Sequence, residues 1–313
     1  MNIDRTIRSA IETATQAIGE AVQASVQAAQ EAVEAMAEHD FGFSEPEYHE
    51  ISSELDARGL SGIRVSNRAG AVTLTGHDGE ELSVKAKVLT SADDLDGVLD
   101  RVQEAIRREG LVLEVSAPSE PHTRIEYEIA VPRHLQVAIA VGSGAVSVRD
   151  LDAPLEVTSN NGEVRVQNAG GDVLIRTANG AVRAEDLAGK ASLETKNGAV
   201  TVTRVQGELD AQSANGAVLV ADAHSKVTIR TVNGRVQYRG QVLGDFDIAT
   251  TNGAIALRVP GDSVFELDAD VRVGRVHIDL PCSEGNGARR DPNEALPSVH
   301  LRSMVGRIAI EEL

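Results

Sequence analysis

V-T-S-N-N-G-E-V-R-V (157–166) returns as I-R-T-A-N-G-A-V-R-A (175–184) and as L-E-T-K-N-G-A-V-T-V (193–202), each copy 18 residues after the last. Gly144, Gly162, Gly180, Gly198, Gly216 and Gly234 keep this spacing without error, and Gly253 follows after 19. Asn161, Asn179, Asn197, Asn215, Asn233 and Asn252 directly precede the last six of these glycines. Weaker echoes stand at Val273-Gly274-Arg275-Val276 and Val305-Gly306-Arg307-Ile308.

Counted from each Gly, apolar or small residues recur at fixed offsets. Two residues on stand Val146, Val164, Val182, Val200, Val218, Val236 and Ile255. Four on stand Val148, Val166, Ala184, Val202, Val220, Tyr238 and Leu257. Further columns run through Leu151, Leu155 and Val157 and their equivalents, and a Ser/Thr column through Ser159, Thr177, Thr195, Ser213 and Thr231. The residues between are mostly polar, the period-two pattern of strands with one buried face.

One such unit is too small to bury a core, so neighbours must stack. In a stack each coil lies about 4.8 Å above the last. A change in coil length pushes a column out of register, which explains the fixed period. The expected fold is all-β: a single-stranded parallel β-solenoid with 18-residue coils. Gly allows a turn with positive φ, Asn supports a ladder of side-chain amides, and the Ser/Thr hydroxyls can form a second ladder inside. Asn-Gly between alternating strands is also the strongest short hairpin signal. A hairpin array would set Val157 opposite Val166. The invariant length across both turns favours the solenoid.

Outward from the array, the chain divides into five stretches. Residues 1–40 read as an amphipathic α-helix with an 11-residue apolar period, close to that of a straight helix. Its proposed interface is Ile7, Ile11, Ile18, Val22 and Val33. Residues 41–59 read as an acidic linker. Residues 60–142 read as the first solenoid coils, with a helical insertion at 92–109. There Ser91 is the expected N-cap, Leu95, Leu99, Val102 and Ile106 the buried stripe, and Gly110 the stop. The strict array spans 143–260, and 261–313 form C-terminal coils with an irregular loop at 283–297.

Aromatic residues are 2% of the chain and Trp is absent, so Val, Ile, Leu and Ala must build the core. The net charge is −18, and residues 1–58 hold twelve acidic and three basic side chains. That charge repels phosphate backbones and anionic lipid, which points away from nucleic acid as a partner. Cys282 is the one cysteine, so no intrachain disulfide forms. No apolar run reaches transmembrane length and no signal core follows Arg5 and Arg8, giving a cytoplasmic expectation. The alternative is a peripheral, envelope-associated protein whose helix lies on a membrane surface.

The repeat units quoted above, with Gly70-Ala71-Val72-Thr73-Leu74-Thr75-Gly76 and Ile129-Ala130-Val131-Pro132, resemble the bacterial putative-adhesin β-strand-repeat domain family. The likeness covers roughly residues 60–310. It implies the same repeat fold and no agreed catalytic residues. Some members are linked to envelope stress sensing or surface attachment.

No catalytic, cofactor-binding or metal-binding set emerges from the residues. The eight histidines lack metal-ligand spacing. Asp93-Asp94 reads as helix capping, Gly170-Gly171-Asp172 occurs once where calcium-binding repeats would iterate it, and the Asn-Gly segments read as turns. A carbohydrate-active β-helix enzyme would need cleft-building loops, paired carboxylates and stacking aromatics. The flat edge lined by Ala145, Ala181, Ala199, Ala217 and Ala254, with Leu219 and Ala221 nearby, reads first as an inert solvated sheet, the alternative being a face that packs on another flat surface. The expectation is therefore a non-enzymatic scaffold that self-associates or docks to protein through its N-terminal helix. It uses no cofactor and has no identified small-molecule substrate.

Overall fold

A computed structural model describes residues 48–313 except 91–93, 119–121 and 281–295. The stretch 1–40 with its predicted interface, Ser91, Cys282 and most of the loop 283–297 lie outside the described residues.

In chain order the elements begin with β1 (Tyr48–Asp56), β2 (Gly62–Ala69), β3 (Val72–His77), β4 (Glu81–Thr90), α1 (Leu95–Glu104) and β5 (Ile106–Glu109). There follow β6 (Val112–Ser116), β7 (Thr123–Pro132), β8 (Gln136–Ser143) and β9 (Val146–Leu151). The regular array is β10 (Leu155–Asn161), β11 (Val164–Ala169), β12 (Val173–Asn179), β13 (Val182–Leu187), β14 (Ala191–Thr195) and β15 (Val200–Val205). It continues through β16 (Leu209–Ser213), β17 (Val218–Ala223), β18 (Val227–Asn233), β19 (Val236–Arg239), β20 (Phe246–Asn252) and β21 (Ile255–Val259). The long strands β22 (Glu266–Asp279) and β23 (Ser298–Glu312) complete it.

The array is a parallel stack. Val157 lies in register with Ile139 on one side and Ile175 on the other, not across from Val166, which removes the hairpin arrangement. Even-numbered strands β8 to β20 stack as a first wall, and odd-numbered strands β9 to β21 as a second. The Asn-Gly corner joins them. The columns at offsets two, four, seven, eleven and thirteen fill the space between the walls and are buried throughout the array. Each fully buried Val, Leu or Ile contributes roughly 1.5–3 kcal/mol, so the core draws on many small terms. The extra residue before Gly253 is absorbed in the loop between Arg239 and Phe246, because Val227 and Phe246 still pair in register. Tyr238 and Phe246 fill the core there, edge to face at 4.7 Å.

At both ends the spatial order departs from the chain order. The coil β2–β3 lies between β6–β7 and β8–β9. At the far end β23 lies between β20–β21 and β22. Residues 60–142 are also not all solenoid coil. β4 runs antiparallel to β7, and β5 antiparallel to β6. The stretch read as an acidic linker contains β1, which pairs antiparallel with β4 and alternates half-buried His49, Ile51, Ser53 and Leu55 with exposed neighbours. These strands satisfy edges that would otherwise expose unpaired backbone groups.

The helical insertion is shorter than 92–109. Its N-cap is Asp94, whose carboxylate accepts from Gly97 N, rather than Ser91. Val98 and Val102 are buried and Leu99 half-buried, whereas Ile106 has left the helix for β5. Gly110 does not stop the helix. It turns the β5–β6 hairpin at φ +64°. Gln103 Nε2 donates to Ser53 Oγ at 2.8 Å, tying α1 to β1 over this end of the stack.

Candidate interaction surface

The Asn-Gly corner is the most repeated polar feature. Asn179 Nδ2 donates to Asn161 Oδ1 at 3.0 Å, and the same bond links Asn197, Asn215, Asn233 and Asn252 upward at 2.8–3.0 Å. The ladder is solvent-facing, but each amide is oriented by its neighbours. Only Gly162 of the Asn-Gly pairs has a left-handed φ, at +142°. The requirement at Gly180, Gly198, Gly216, Gly234 and Gly253 is instead close approach. A Cβ there would overlap the carbonyl group of the glycine one coil earlier. The Ser/Thr column does not form a hydroxyl ladder. Thr195 Oγ1 donates to Gly180 O and Ser213 Oγ to Gly198 O, each at 3.0 Å, and Thr231, Thr250 and Ser303 reach the equivalent carbonyls.

A second corner, missed in the sequence, lies six residues after each glycine. Asp150, Asn168, Asp186, Arg204 and Asp222 all adopt φ between +54° and +60°, and Gly240 continues the column. Asp and Asn tolerate this conformation because a short polar side chain bonds locally. Their recurrence at one offset was the available signal. Asn168 donates to Asp150 at 2.6 Å, and Arg204 makes two hydrogen bonds to Asp186. The Arg204 guanidinium holds the Asp186 carboxyl below its ordinary range. Gly171, Gly189 and Gly207 mark a third corner, again by backbone approach between coils.

The outward side of the first wall carries a groove of about 670 Å³ that crosses β14, β16, β18, β20, β23 and β22. Lys196, Arg230, Arg272 and Arg302 line it against Glu194 and Asp270, a local excess of two positive charges in a chain of net −18. Val232 and Met304, each 47% exposed, give it an apolar floor. The second wall has a smaller hollow of about 210 Å³ beside Leu219 and Ala221.

The family model for Toastrack DUF4097 matches residues 113–296. The chain belongs to that family. Among solved structures, this Toastrack chain is similar to a putative adhesin from Bacteroides fragilis NCTC 9343. That likeness has 12% identity, 86% and 99% coverage of the two chains and a TM-score of 0.41. It is also similar to a putative adhesin from Parabacteroides distasonis ATCC 8503, at 10% identity, 85% and 97% coverage and a TM-score of 0.41. A putative cell adhesion protein from Clostridium sporogenes ATCC 15579 aligns at 13% identity, 85% and 100% coverage and a TM-score of 0.28. No curated protein matches the chain.

Among the described residues of the Toastrack chain, no group of three or more His, Cys, Asp or Glu could hold a metal. His77 Nδ1 accepts from Gly79 N and so orders a turn, while His300 pairs with Asp268 at 3.3 Å. Among the same residues no helix is long and apolar enough to cross a membrane.

Proposed function

We propose that this Toastrack chain is a non-enzymatic interaction scaffold, which self-associates or docks to protein through residues 1–40. One observation carries the scaffold reading. The polar groups that the repeat multiplies, the Asn amides and most Ser/Thr hydroxyls, are spent on bonds between coils. They hold the stack in register and leave recognition to the outward walls and to the segments that break the repeat. The groove on the first wall spans six strands with a different side chain from each coil, which suits an extended partner with acidic and apolar groups. The apolar row Ile7, Ile11, Ile18, Val22 and Val33 supports the amino-terminal role. Light scattering of the full chain and of a chain lacking residues 1–40 tests it. The full chain should have the larger mass per particle by more than the deleted residues account for. Equal subunit numbers in both would remove self-association through this segment.

A further inference from the structure

The Asn-Gly corner changes character over the last four coils in space, β18–β19, β20–β21, β23 and β22. In the earlier coils the residue after the corner glycine is Ala145, Glu163, Ala181, Ala199 or Ala217. In the last four it is Arg235, Ala254, Arg307 and Arg275, each one residue before Val236, Ile255, Ile308 and Val276, which share a register row. The ladder position changes as well. Asn252 is followed by Val305 and Val273, which are 49% and 61% exposed. Both columns face outward, so stacking requires neither change.

From four residues before each of these four glycines to three after, the corner holds six arginines and one acid, Asp270, in a chain of net −18. Arg230 pairs with Asp247 at 3.1 Å. Arg235, Arg272, Arg275, Arg302 and Arg307 are exposed and make no ion pair among the described residues. Asp270 lies in register with Arg302. Acids just outside the corner are already engaged: Asp268 faces His300 at 3.3 Å and Glu311 holds Arg258 at 3.2 Å. Between the arginines stand Val232, Met304, Val305 and Val273, all exposed.

We propose that this corner binds a short extended peptide segment of another protein, rich in both carboxylates and aliphatic side chains, lying along the stack. The proposal rests on the reading of the first-wall groove and carries that groove over the corner onto the second wall. It does not involve residues 1–40. Three features select the partner. The first is charge: planar guanidinium groups match carboxylates two bonds at a time. The second is the apolar surface between the arginines. A sugar–phosphate chain has no groups to cover it, and the corner holds no Phe, Tyr or Trp on which bases could stack. Arg and Met are instead enriched where proteins meet proteins. The third is length. Arg235 and Arg275 are three coils apart, and Lys196, at the other end of the groove, is five coils from Arg272. At ~4.8 Å per coil these spans are about 14 and 24 Å, or roughly four to seven extended residues. A longer polyanion would run onto a surface of its own sign.

Fluorescence anisotropy of a labelled synthetic heptapeptide of alternating glutamate and leucine, added to the full chain, tests the proposal. Binding should saturate and should weaken as salt rises. The full-length variants Arg235→Glu/Arg307→Glu and Arg272→Glu/Arg302→Glu should each weaken it by roughly tenfold or more. Val273→Ser/Val305→Ser should weaken it by roughly threefold or more. All of these side chains are exposed, so the fold should persist. Combining the four charge reversals should yield a chain that binds the lysine–leucine heptapeptide, a gain that no fold defect produces. A native chain without saturable binding, or variants that bind as the native chain does, would overturn the proposal and the groove reading with it. Loss confined to Arg272→Glu/Arg302→Glu would keep the groove and remove its extension over the corner. Heptaglutamate or a short single-stranded DNA binding as tightly as the glutamate–leucine peptide would reduce the corner to a bare charge patch and overturn the assignment. Light scattering with and without residues 1–40 reads the amino-terminal association independently of all these outcomes.

Discussion

Gly216→Ala is the substitution that bears most directly on why the repeat carries glycine. The Cβ of an alanine at 216 would stand 2.5 Å from the carbonyl carbon of Gly198, and also against its oxygen. Ordinary carbon–carbon contact is about 3.5 Å, so the two coils must separate by roughly 1 Å at this corner. Among the hydrogen bonds that span the same gap are Asn215 N to Lys196 O, Val200 N to Ala217 O, and Asn215 Nδ2 to Asn197 Oδ1, all at 2.9 Å. Stretching them by about 1 Å takes them out of bonding range, and at ~1 kcal/mol each the loss is about 3 kcal/mol. For a protein of this size that lowers Tm by roughly 6–12 °C. Gly110→Ala is the control. Its φ is +64° but nothing lies within 4 Å of the added Cβ, so only left-handed strain of about 1 kcal/mol applies. Urea unfolding followed by circular dichroism compares the two. If Gly216→Ala costs no more than Gly110→Ala, close approach does not explain the glycine column.

Further outcomes follow from the ladders and the buried rings. Asn197 both donates and accepts, whereas Asn252 faces Val305 and so ends the ladder. Asn197→Ala should therefore cost about 1–2 kcal/mol and Asn252→Ala about half of that, with the reverse order in urea midpoints counting against the ladder. Arg204 depresses the Asp186 pKa, so this pair adds stability above the unfolded carboxylate value and loses it as pH falls through the lower folded one. Arg204→Gln should move the Asp186 carboxyl titration, followed by carbon NMR, back toward the ordinary range, and an unmoved midpoint would refute the pairing. Burial pushes the Tyr238 hydroxyl up to about 12. The unfolded chain then ionises first, and stability is lost as pH rises from about 10 through 12, at ~1.4 kcal/mol per unit. Tyr238→Phe should remove one proton from that slope, and an unchanged slope would show that Tyr238 does not titrate with unfolding.

The array was legible because stacking allows little else. A coil that must place Val164 over Val146 and under Val182 cannot change its length, and that constraint is written as a period. The second corner was legible in principle, since Asp150, Asn168, Asp186 and Asp222 share one offset and a tolerance for left-handed backbone. Other features were not. Ile106 lies four residues after Val102, which fits a helix stripe, yet the open edge of β6 is better satisfied by a four-residue antiparallel strand. β1 lay hidden because its inward positions mix His49 and Ser53 with Ile51 and Leu55, so acidity masked the alternation. That β22 comes last in space among the described strands depends on the order of coils in the stack, and no local pattern records that.

The exchange of coil order at both ends changes how the stack can come apart. In a simple solenoid the terminal coil contacts one neighbour and frays alone, as in a one-dimensional array. Here the chain leaves β3 for the end of the stack, passes through β4 to β7, and returns to build β8 on the other side of β2. Likewise β21 leads outward to β22, and the chain then comes back as β23 to fill the gap between them. Peeling off β6–β7 exposes the coil β2–β3, but each stays joined through the chain to strands on both sides of it. The last two coils at each end therefore depend on contacts between residues far apart in sequence, such as Ile255 with Ile308. Such pairings are slow to form because loop closure precedes the contact. The central coils, whose neighbours are 18 residues away, can assemble first and serve as the template on which both ends close.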